Sequence, residues 1–345
     1  MADVVVVNEP FERWWSHSAE QAEQLWAGPD LHTIRVPPGD HRQLSELDLP
    51  ADTERLLLLT SKPGLGSDLA FLPGLRELAT VDEPEPSYTA ALTARGVQVY
   101  TLRNEGYWGQ SVAEFALGLT IGALRRIPQT YRAMSESLDT WSYLPPEGMG
   151  RPSARAAQFG DDNDFTSGTV AGKRVRVVGM GNIGARYAAF CAALGADVAG
   201  WSKSAPDPVF HRSLTRRSFR LPELVADAEI FAPMLPLVTA TEGFVTAELI
   251  DALPKGCLVV LVTRAQVVDM DRLRERVLAD ELSLAADVFD IEPLPLDDPL
   301  IGRHNVIHTP HNAGRTRDAN RALVQSLLDQ FWRRSNVSDG SRASR

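Results

Sequence analysis

Apolar and polar positions along the chain fall into two successive alternating rhythms. Short aliphatic runs recur at Val4–Val7, Thr33–Val36, Leu56–Thr60, Leu75–Thr80 and Val97–Thr101, with a helical segment near Ser18–Trp26. Strand-length runs separated by segments of helical character predict a small parallel α/β unit in the N-terminal third. Ser111-Val-Ala-Glu114 has the spacing of a capping box and predicts a helix through Phe115, Leu117, Leu119, Ile121 and Leu124 to Arg126. That helix is apolar on most faces, as expected of one deeply buried or shared with a second subunit. Asp139–Gly168 is rich in Pro, Gly, Ser and Asp and predicts an extended surface connection.

The second rhythm follows. Strands are predicted near Arg174–Val178, Asp197–Trp201, Glu229–Ala232, Leu258–Thr263, Leu284–Val288 and Val306–His308, with helices near Asn182–Leu194, Leu221–Ala226, Ala247–Ala252 and Arg272–Ala279. This alternation is that of a doubly wound parallel sheet. A last helix, Arg317–Arg333, carries Leu323, Val324, Leu327, Leu328, Phe331 and Trp332 on one stripe, and residues 336–345 are expected to be a disordered polar tail.

Length and charge narrow the picture. A chain of 345 residues exceeds the usual single-domain size, so two domains are expected. Its 35 basic and 45 acidic residues give a net charge of −10 and no long basic run, which argues against nucleic acid or an anionic membrane surface as partner. No secretory signal opens the sequence and no apolar run reaches the ~18 residues of a membrane span, so a cytoplasmic protein is expected. Cys191 and Cys257 read as core residues, and no metal site is expected.

Candidate chemistry begins at Gly179-Met-Gly-Asn-Ile-Gly184, between a predicted strand and a predicted helix. In such a turn the first glycine permits a tight bend, the second lets backbone approach a pyrophosphate, and the third lets the helix pack on the strand. A dinucleotide site is therefore expected. At the end of the second strand an NAD site usually offers a carboxylate to the ribose 2′-hydroxyl; here Trp201-Ser202-Lys203-Ser204 offers hydroxyls and a cation. This favours NADP(H) over NAD(H), with Arg212 or Arg216 as further sources of charge.

Ligands of an open parallel sheet gather at the carboxyl ends of its strands. There the sequence places Arg264, then Phe289-Asp-Ile-Glu292-Pro293, then Thr309-Pro-His311. Hydride addition to a carbonyl builds negative charge on oxygen, which calls for a proton donor and a fixed cation. Histidine oriented by a carboxylate supplies the first and arginine the second.

The chain resembles the D-isomer-specific 2-hydroxyacid dehydrogenases. The matching stretches are Ser111–Glu114, Gly172-Lys173, Gly179–Gly184, Leu235-Pro236-Leu237 with Thr241, Thr263-Arg264 with Val268-Asp269, Asp287-Val288-Phe289 with Glu292-Pro293, and Thr309-Pro310-His311 with Gly314. The resemblance implies a Rossmann-type domain, residues 105–314, inserted into a flavodoxin-like α/β substrate domain formed by 1–104 and 315–335. It implies an oxidoreductase acting on a 2-hydroxy or 2-oxo acid or related ketone, with Arg264 binding substrate and Glu292 paired with His311 as acid/base. It implies cofactor contacts from Gly179, Met180, Gly181, Asn182, Ile183, Gly184, Pro236, Thr263 and His311, with Asp287 at the nicotinamide carboxamide. It also implies a homodimer through helix 111–126.

One stretch departs from the resemblance. Members of the family carry a glycine-rich loop after the strand corresponding to Leu75–Thr80, and its amides hold the substrate carboxylate; here the stretch reads Val81-Asp-Glu-Pro-Glu-Pro86. Prolines lack the donor and carboxylates repel an anion. A different substrate is one outcome, with Glu83, Tyr107 and Trp108 in its pocket and Tyr88 nearby. The alternative is a dinucleotide-binding regulator or non-catalytic family member.

Overall fold

The computed structural model describes residues 2–40, 42–60, 69–81, 84–102, 108–151 and 154–340, with 332–340 described through their backbone only. The chain divides into two compact units, Met1–Tyr107 with Arg315–Arg345, and Trp108–Gly314. The second therefore interrupts the first in sequence.

The first unit holds strands β1 (Ala2–Asn8), β2 (Leu31–Val36), β3 (Thr53–Leu59), β4 (Glu77–Thr80) and β5 (Gln98–Thr101), with helices α1 (Glu9–Trp14), α2 (Ser18–Leu25) and α3 (Pro86–Ala94) between them. All pairings are parallel, in the order β2-β1-β3-β4-β5, the flavodoxin arrangement. Val4 to Val7 are all buried because both faces of the sheet are covered. Val5, Val7, Leu57 and Leu59 pack with Leu323, Val324, Leu327, Leu328 and Phe331 of the C-terminal helix, Arg317–Gly340. Val4, Val6, Leu56, Leu58, Leu78 and Leu92 form the other core, where half-buried Tyr88 packs. Buried Asn320 fastens the C-terminal helix by accepting from the His17 amide at 3.2 Å and the Ser18 hydroxyl at 3.0 Å. The Trp332 side chain lies outside the described residues.

The second unit opens with α4 (Gly109–Leu124) and α5 (Ile127–Glu136). Its sheet follows: β6 (Arg174–Val178), β7 (Asp197–Trp201), β8 (Arg216–Arg217), β9 (Ile230–Pro233), β10 (Leu258–Leu261), β11 (Ser283–Ala286) and β12 (Val306–His308). Its connections carry α6 (Asn182–Ala193), α7 (Asp207–Arg212), α8 (Leu221–Val225), α9 (Ala247–Asp251) and α10 (Met270–Leu278). The seven strands run parallel in the order β12-β11-β10-β9-β6-β7-β8. The order reverses at β6, which pairs with β7 on one side and β9 on the other, and ligands collect at such a switch point. Both cysteines are buried, and burial pushes the Cys191 thiol up to about 12.

Several elements differ from the sequence-based expectation. The expected capping box at Ser111 does not form: α4 starts at Gly109 behind Trp108, with no side-chain cap, and the Ser111 hydroxyl instead donates to the Ala313 carbonyl at 2.6 Å. Helix α5 was not expected; Arg126 turns the chain in the left-handed region at φ 53°, and Pro128 sits in its first turn. Helices α1, α3 and α7 and strand β8 were likewise not expected. Among the described residues from Asp139 to Gly168 the chain has one short 3-10 turn.

Candidate active site

The turn between β6 and α6 separates its three glycines by what surrounds them. Gly179 has φ 98°, and a Cβ there would lie 2.6 Å from the Met234 carbonyl oxygen. A Cβ on Gly184 would lie 1.9 Å from the Gly179 oxygen, so helix and turn touch backbone to backbone. Around Gly181 nothing lies within 4 Å of where a Cβ would stand. Two glycines are thus demanded by packing, and the third leaves open space at the N-terminus of a 12-residue helix whose amides point outward. A pyrophosphate fits such a cradle. Asn182 and Ile183 open α6, and Met180 is buried against β7, its sulfur 2.7 Å from where Gly200 would carry a Cβ.

A cleft of about 600 Å³ continues from this turn past the end of β7, lined among others by Asn182, Arg186, Ser202, Ser204 and Arg212. The Ser202 hydroxyl accepts from the Ala205 amide at 3.2 Å and shapes the loop. Lys203 is exposed and does not line the cleft. Arg186, a turn into α6, was not singled out in the sequence, because no motif marks it. Beyond β9, Pro236 is exposed and its carbonyl accepts from the Thr241 hydroxyl at 2.5 Å.

The neighbouring strands β10, β11 and β12 are in register, Leu261 beside Ala286 and Ala286 beside His308. Arg264, Asp287 and His311 therefore leave adjacent strand ends. Arg264 is exposed in extended backbone and donates to the Thr263 carbonyl at 2.7 Å; buried Thr263 donates its hydroxyl to the Pro233 carbonyl at 3.2 Å. Glu292 Oε1 accepts from the Phe289 amide at 2.9 Å, and Oε2 lies 2.8 Å from His311 Nδ1. Both side chains keep about a third or less of their surface exposed, 34% and 27%. His311 has φ 53°, a strained conformation for a residue with a Cβ and one that concentrates at functional sites.

Asp287, assigned to the nicotinamide carboxamide by resemblance, is wholly buried. Its Oδ1 accepts from the Thr309 hydroxyl at 2.6 Å and the Asn312 amide at 3.0 Å, and its Oδ2 from the Ala313 amide at 2.9 Å. In this structure its carboxylate holds the loop that carries His311. Of the residues assigned to substrate, half-buried Trp108 stands at the start of α4 and packs against the core of its unit, while Glu83 and Tyr107 lie outside the described residues.

Residues 117–313 match the NAD binding domain of the D-isomer specific 2-hydroxyacid dehydrogenases, more than half of the chain. The chain belongs to this family. The match includes the glycine turn, Arg264, Asp287, Glu292 and His311. Among dehydrogenases of similar sequence are the D-3-phosphoglycerate dehydrogenase of Methanocaldococcus jannaschii, 28% identical over 64% of this chain and 38% of its own length, and the hydroxypyruvate reductase of Thermotoga maritima, 24% identical over 70% and 72%. The chain spans only about two fifths of the length of the first two phosphoglycerate dehydrogenases it matches. A solved D-isomer specific 2-hydroxyacid dehydrogenase from Xanthobacter autotrophicus Py2, in complex with NADPH and MES, is similar over 96% of this chain and 94% of its own, at 25% identity and a TM-score of 0.63.

Proposed function

We propose that this dehydrogenase-family chain is an active oxidoreductase that moves hydride between NADP(H) or NAD(H) and C2 of a 2-hydroxy or 2-oxo acid or related ketone. The observation that carries the reading is the Glu292–His311 pair, 2.8 Å apart, beside the strand end that bears Arg264. A protein that only binds a dinucleotide has no use for that pair.

The fit to a dinucleotide rests on Gly181, where the backbone stands open at the start of α6. A bound nicotinamide supplies or accepts the hydride. The chain's own residues handle charge and protons. Nδ1 of His311 is engaged by Glu292, which orients the ring, so the proton given to the nascent alkoxide is carried on Nε2. Arg264 keeps its charge and neutralises the developing oxyanion. In the oxidative direction His311 takes the proton back from the hydroxyl.

Within this reading NADP(H) is the preferred cofactor. No carboxylate follows β7 until Asp207, and Arg186 and Arg212 line the cleft beside Ser202 and Ser204, neither ion-paired with a carboxylate among the described residues. Cations lining a cleft without anionic partners suit a 2′-phosphate. Arg212 takes the place first given to Lys203.

The working form is proposed to be a cytoplasmic homodimer. Helix α4 was expected to carry the interface, but its apolar residues are largely spent inside its own unit. The exposed apolar side chains lie just beyond it, at Ile127, Tyr131, Met134, Leu138, Trp141 and Tyr143. The reading therefore extends the α4 interface along α5; a monomer mass by light scattering would overturn it. Among the described residues no helix is long and apolar enough to cross a membrane.

The function is tested with a panel of glyoxylate, hydroxypyruvate, pyruvate and bulkier 2-oxo acids, following nicotinamide absorbance with each cofactor. Turnover of at least one is expected, and His311→Gln should remove it by about 10²–10⁴-fold while dinucleotide affinity stays within about twofold. Tight dinucleotide binding with no turnover on any member would favour the regulator reading.

A further inference from the structure

The loop that carries Glu292 has few anchors of its own. From Asp290 to Pro299 its residues are exposed or half-buried, Leu296 at 95%, and the next buried side chain is Leu300. Yet Glu292 must keep one carboxylate oxygen on His311. A cation outside the loop reaches both of its limbs. Arg274 of α10, 15% exposed, donates from Nη1 and Nη2 to the two carboxylate oxygens of Asp298 at 3.2 and 2.9 Å. From Nε and Nη2 it also reaches Asp290 Oδ1 at 3.4 and 3.2 Å. Asp290 stands just before Glu292, and Asp298 closes the loop, accepting in addition from the Leu300 amide at 2.9 Å.

The clamp is charged on both sides. Hydrogen bonding to Asp298 holds the Arg274 guanidinium above its ordinary value. Burial is the largest influence on Asp298 and opposes its charge, but the hydrogen bonds from Arg274 and the Leu300 amide, together with the Arg274 charge, outweigh it and hold that carboxyl below the usual range. A forked arginine–carboxylate contact fixes direction as well as distance. The helix beneath is itself secure: Asp269 caps it, Leu273 and Val277 are buried, and buried Arg276 donates to the Ile250 and Leu253 carbonyls.

We propose that Arg274 is a positioning residue for the acid/base pair: by tying Asp290 and Asp298 to α10 it keeps Glu292 in reach of His311. The proposal rests on the oxidoreductase reading for its catalytic consequence, but not for its structural one. Misplacing a reacting group by about 1 Å costs on the order of 10²-fold in rate, so a loosened loop is expected to lower kcat by about 10–10²-fold.

The test uses Arg274→Gln, Arg274→Lys, Glu292→Gln and the double variant Arg274→Gln/Glu292→Gln in the full chain. The first readout needs no substrate. The Phe289 amide donates to Glu292, so hydrogen exchange across 287–294 reports the loop. Arg274→Gln should raise exchange there about tenfold while the α10 segment stays protected, and Arg274→Lys should restore part of the protection. On whichever oxo acid the wild type reduces, Arg274→Gln should lower kcat, leave KM for the dinucleotide within about twofold, and add nothing to Glu292→Gln, since both act through one group. Unchanged exchange at 287–294, equal loosening of α10, or multiplicative losses in the double variant would overturn the proposal. If the wild type reduces nothing, the oxidoreductase reading fails and the exchange data still decide the role of Arg274.

Discussion

The second and third glycines of the dinucleotide turn are predicted to fail in opposite ways when replaced by alanine. At Gly184 the new Cβ would stand 1.9 Å from the Gly179 carbonyl oxygen and 3.1 Å from Met234 Cβ. Carbon and oxygen do not approach within about 3 Å without a bond, so turn and helix must part by about 1 Å, and the obstacle is backbone, which cannot rotate away. Overpacking of this kind costs about 3 kcal/mol, a loss of about 6–12 °C in Tm for a unit of this size. At Gly181 the backbone has φ −83° and ψ −159°, open to any residue, and no heavy atom lies within 4 Å. Alanine there should leave Tm within about 2 °C. The methyl instead occupies the space into which a pyrophosphate settles. Losing one charge-assisted contact of about 1.5–3 kcal/mol weakens dinucleotide binding by about 10–10²-fold.

Calorimetry of both variants, with and without NADPH, and a fluorescence titration of Gly181→Ala separate the two effects. If Gly181→Ala bound NADPH as the wild type does, the cradle would not be where the phosphates sit. If Gly184→Ala melted with the wild type, the backbone contact would not be the constraint argued from its 1.9 Å approach.

Two further predictions concern charge. Arg186→Ala and Arg212→Ala should each weaken NADPH by about tenfold or more and NADH by less than about threefold, read as kcat/KM or Kd; equal losses for both cofactors would sink the 2′-phosphate assignment. Arg176, in β6 and 1% exposed, donates to Asp227 at 2.7 Å and Asp197 at 3.0 Å. Burial opposes its charge, the two carboxylates outweigh burial, and Asp227 in turn is held below its ordinary 3.8 by the Arg176 hydrogen bond. A depressed carboxyl contributes stability that is present above the unfolded value and lost as pH falls through the folded one. The wild type should therefore lose Tm below about pH 4, a loss that Asp227→Asn should lessen. The double variant Asp197→Asn/Asp227→Asn leaves a buried cation uncompensated and should cost about 3–5 kcal/mol, far more than either single change; additive small losses in chemical denaturation would contradict this.

Much of the second unit was legible in the sequence because its determinants are local. β9, β10 and β11 are short, largely apolar runs that parallel sheets bury on both faces, the glycine turn is a contiguous motif, and Arg264, Glu292 and His311 each follow a strand within a few residues. What was not legible depends on partners far away in the chain. Ser111 has capping-box spacing, yet its hydroxyl serves the Ala313 carbonyl, and nothing near Ser111 signals that acceptor. Arg186 joins Arg212, which the sequence did offer as a source of charge, only because α6 and α7 flank the same strand end. Arg274 reads as an ordinary helix-surface cation until the loop closes on it from Asp290 and Asp298.

The same non-local logic explains how His311 keeps its strained backbone. A left-handed conformation costs a residue with a Cβ about 1–2 kcal/mol, and something must hold it there. The amides of Asn312 and Ala313 and the Thr309 hydroxyl all donate to the buried Asp287 carboxylate, and Ser111 donates to the Ala313 carbonyl from α4. Hydrogen bonds to a charged group contribute about 1.5–3 kcal/mol each, so three outweigh the strain several times over. They also compensate a carboxylate that burial alone would penalise. The effect of Asp287 on chemistry then runs through the backbone of His311, Glu292 constrains the ring from its other side, and Arg274 constrains Glu292. A residue with no access to solvent and one on an outer helix thus act on the same imidazole, the first through its main chain and the second through its partner.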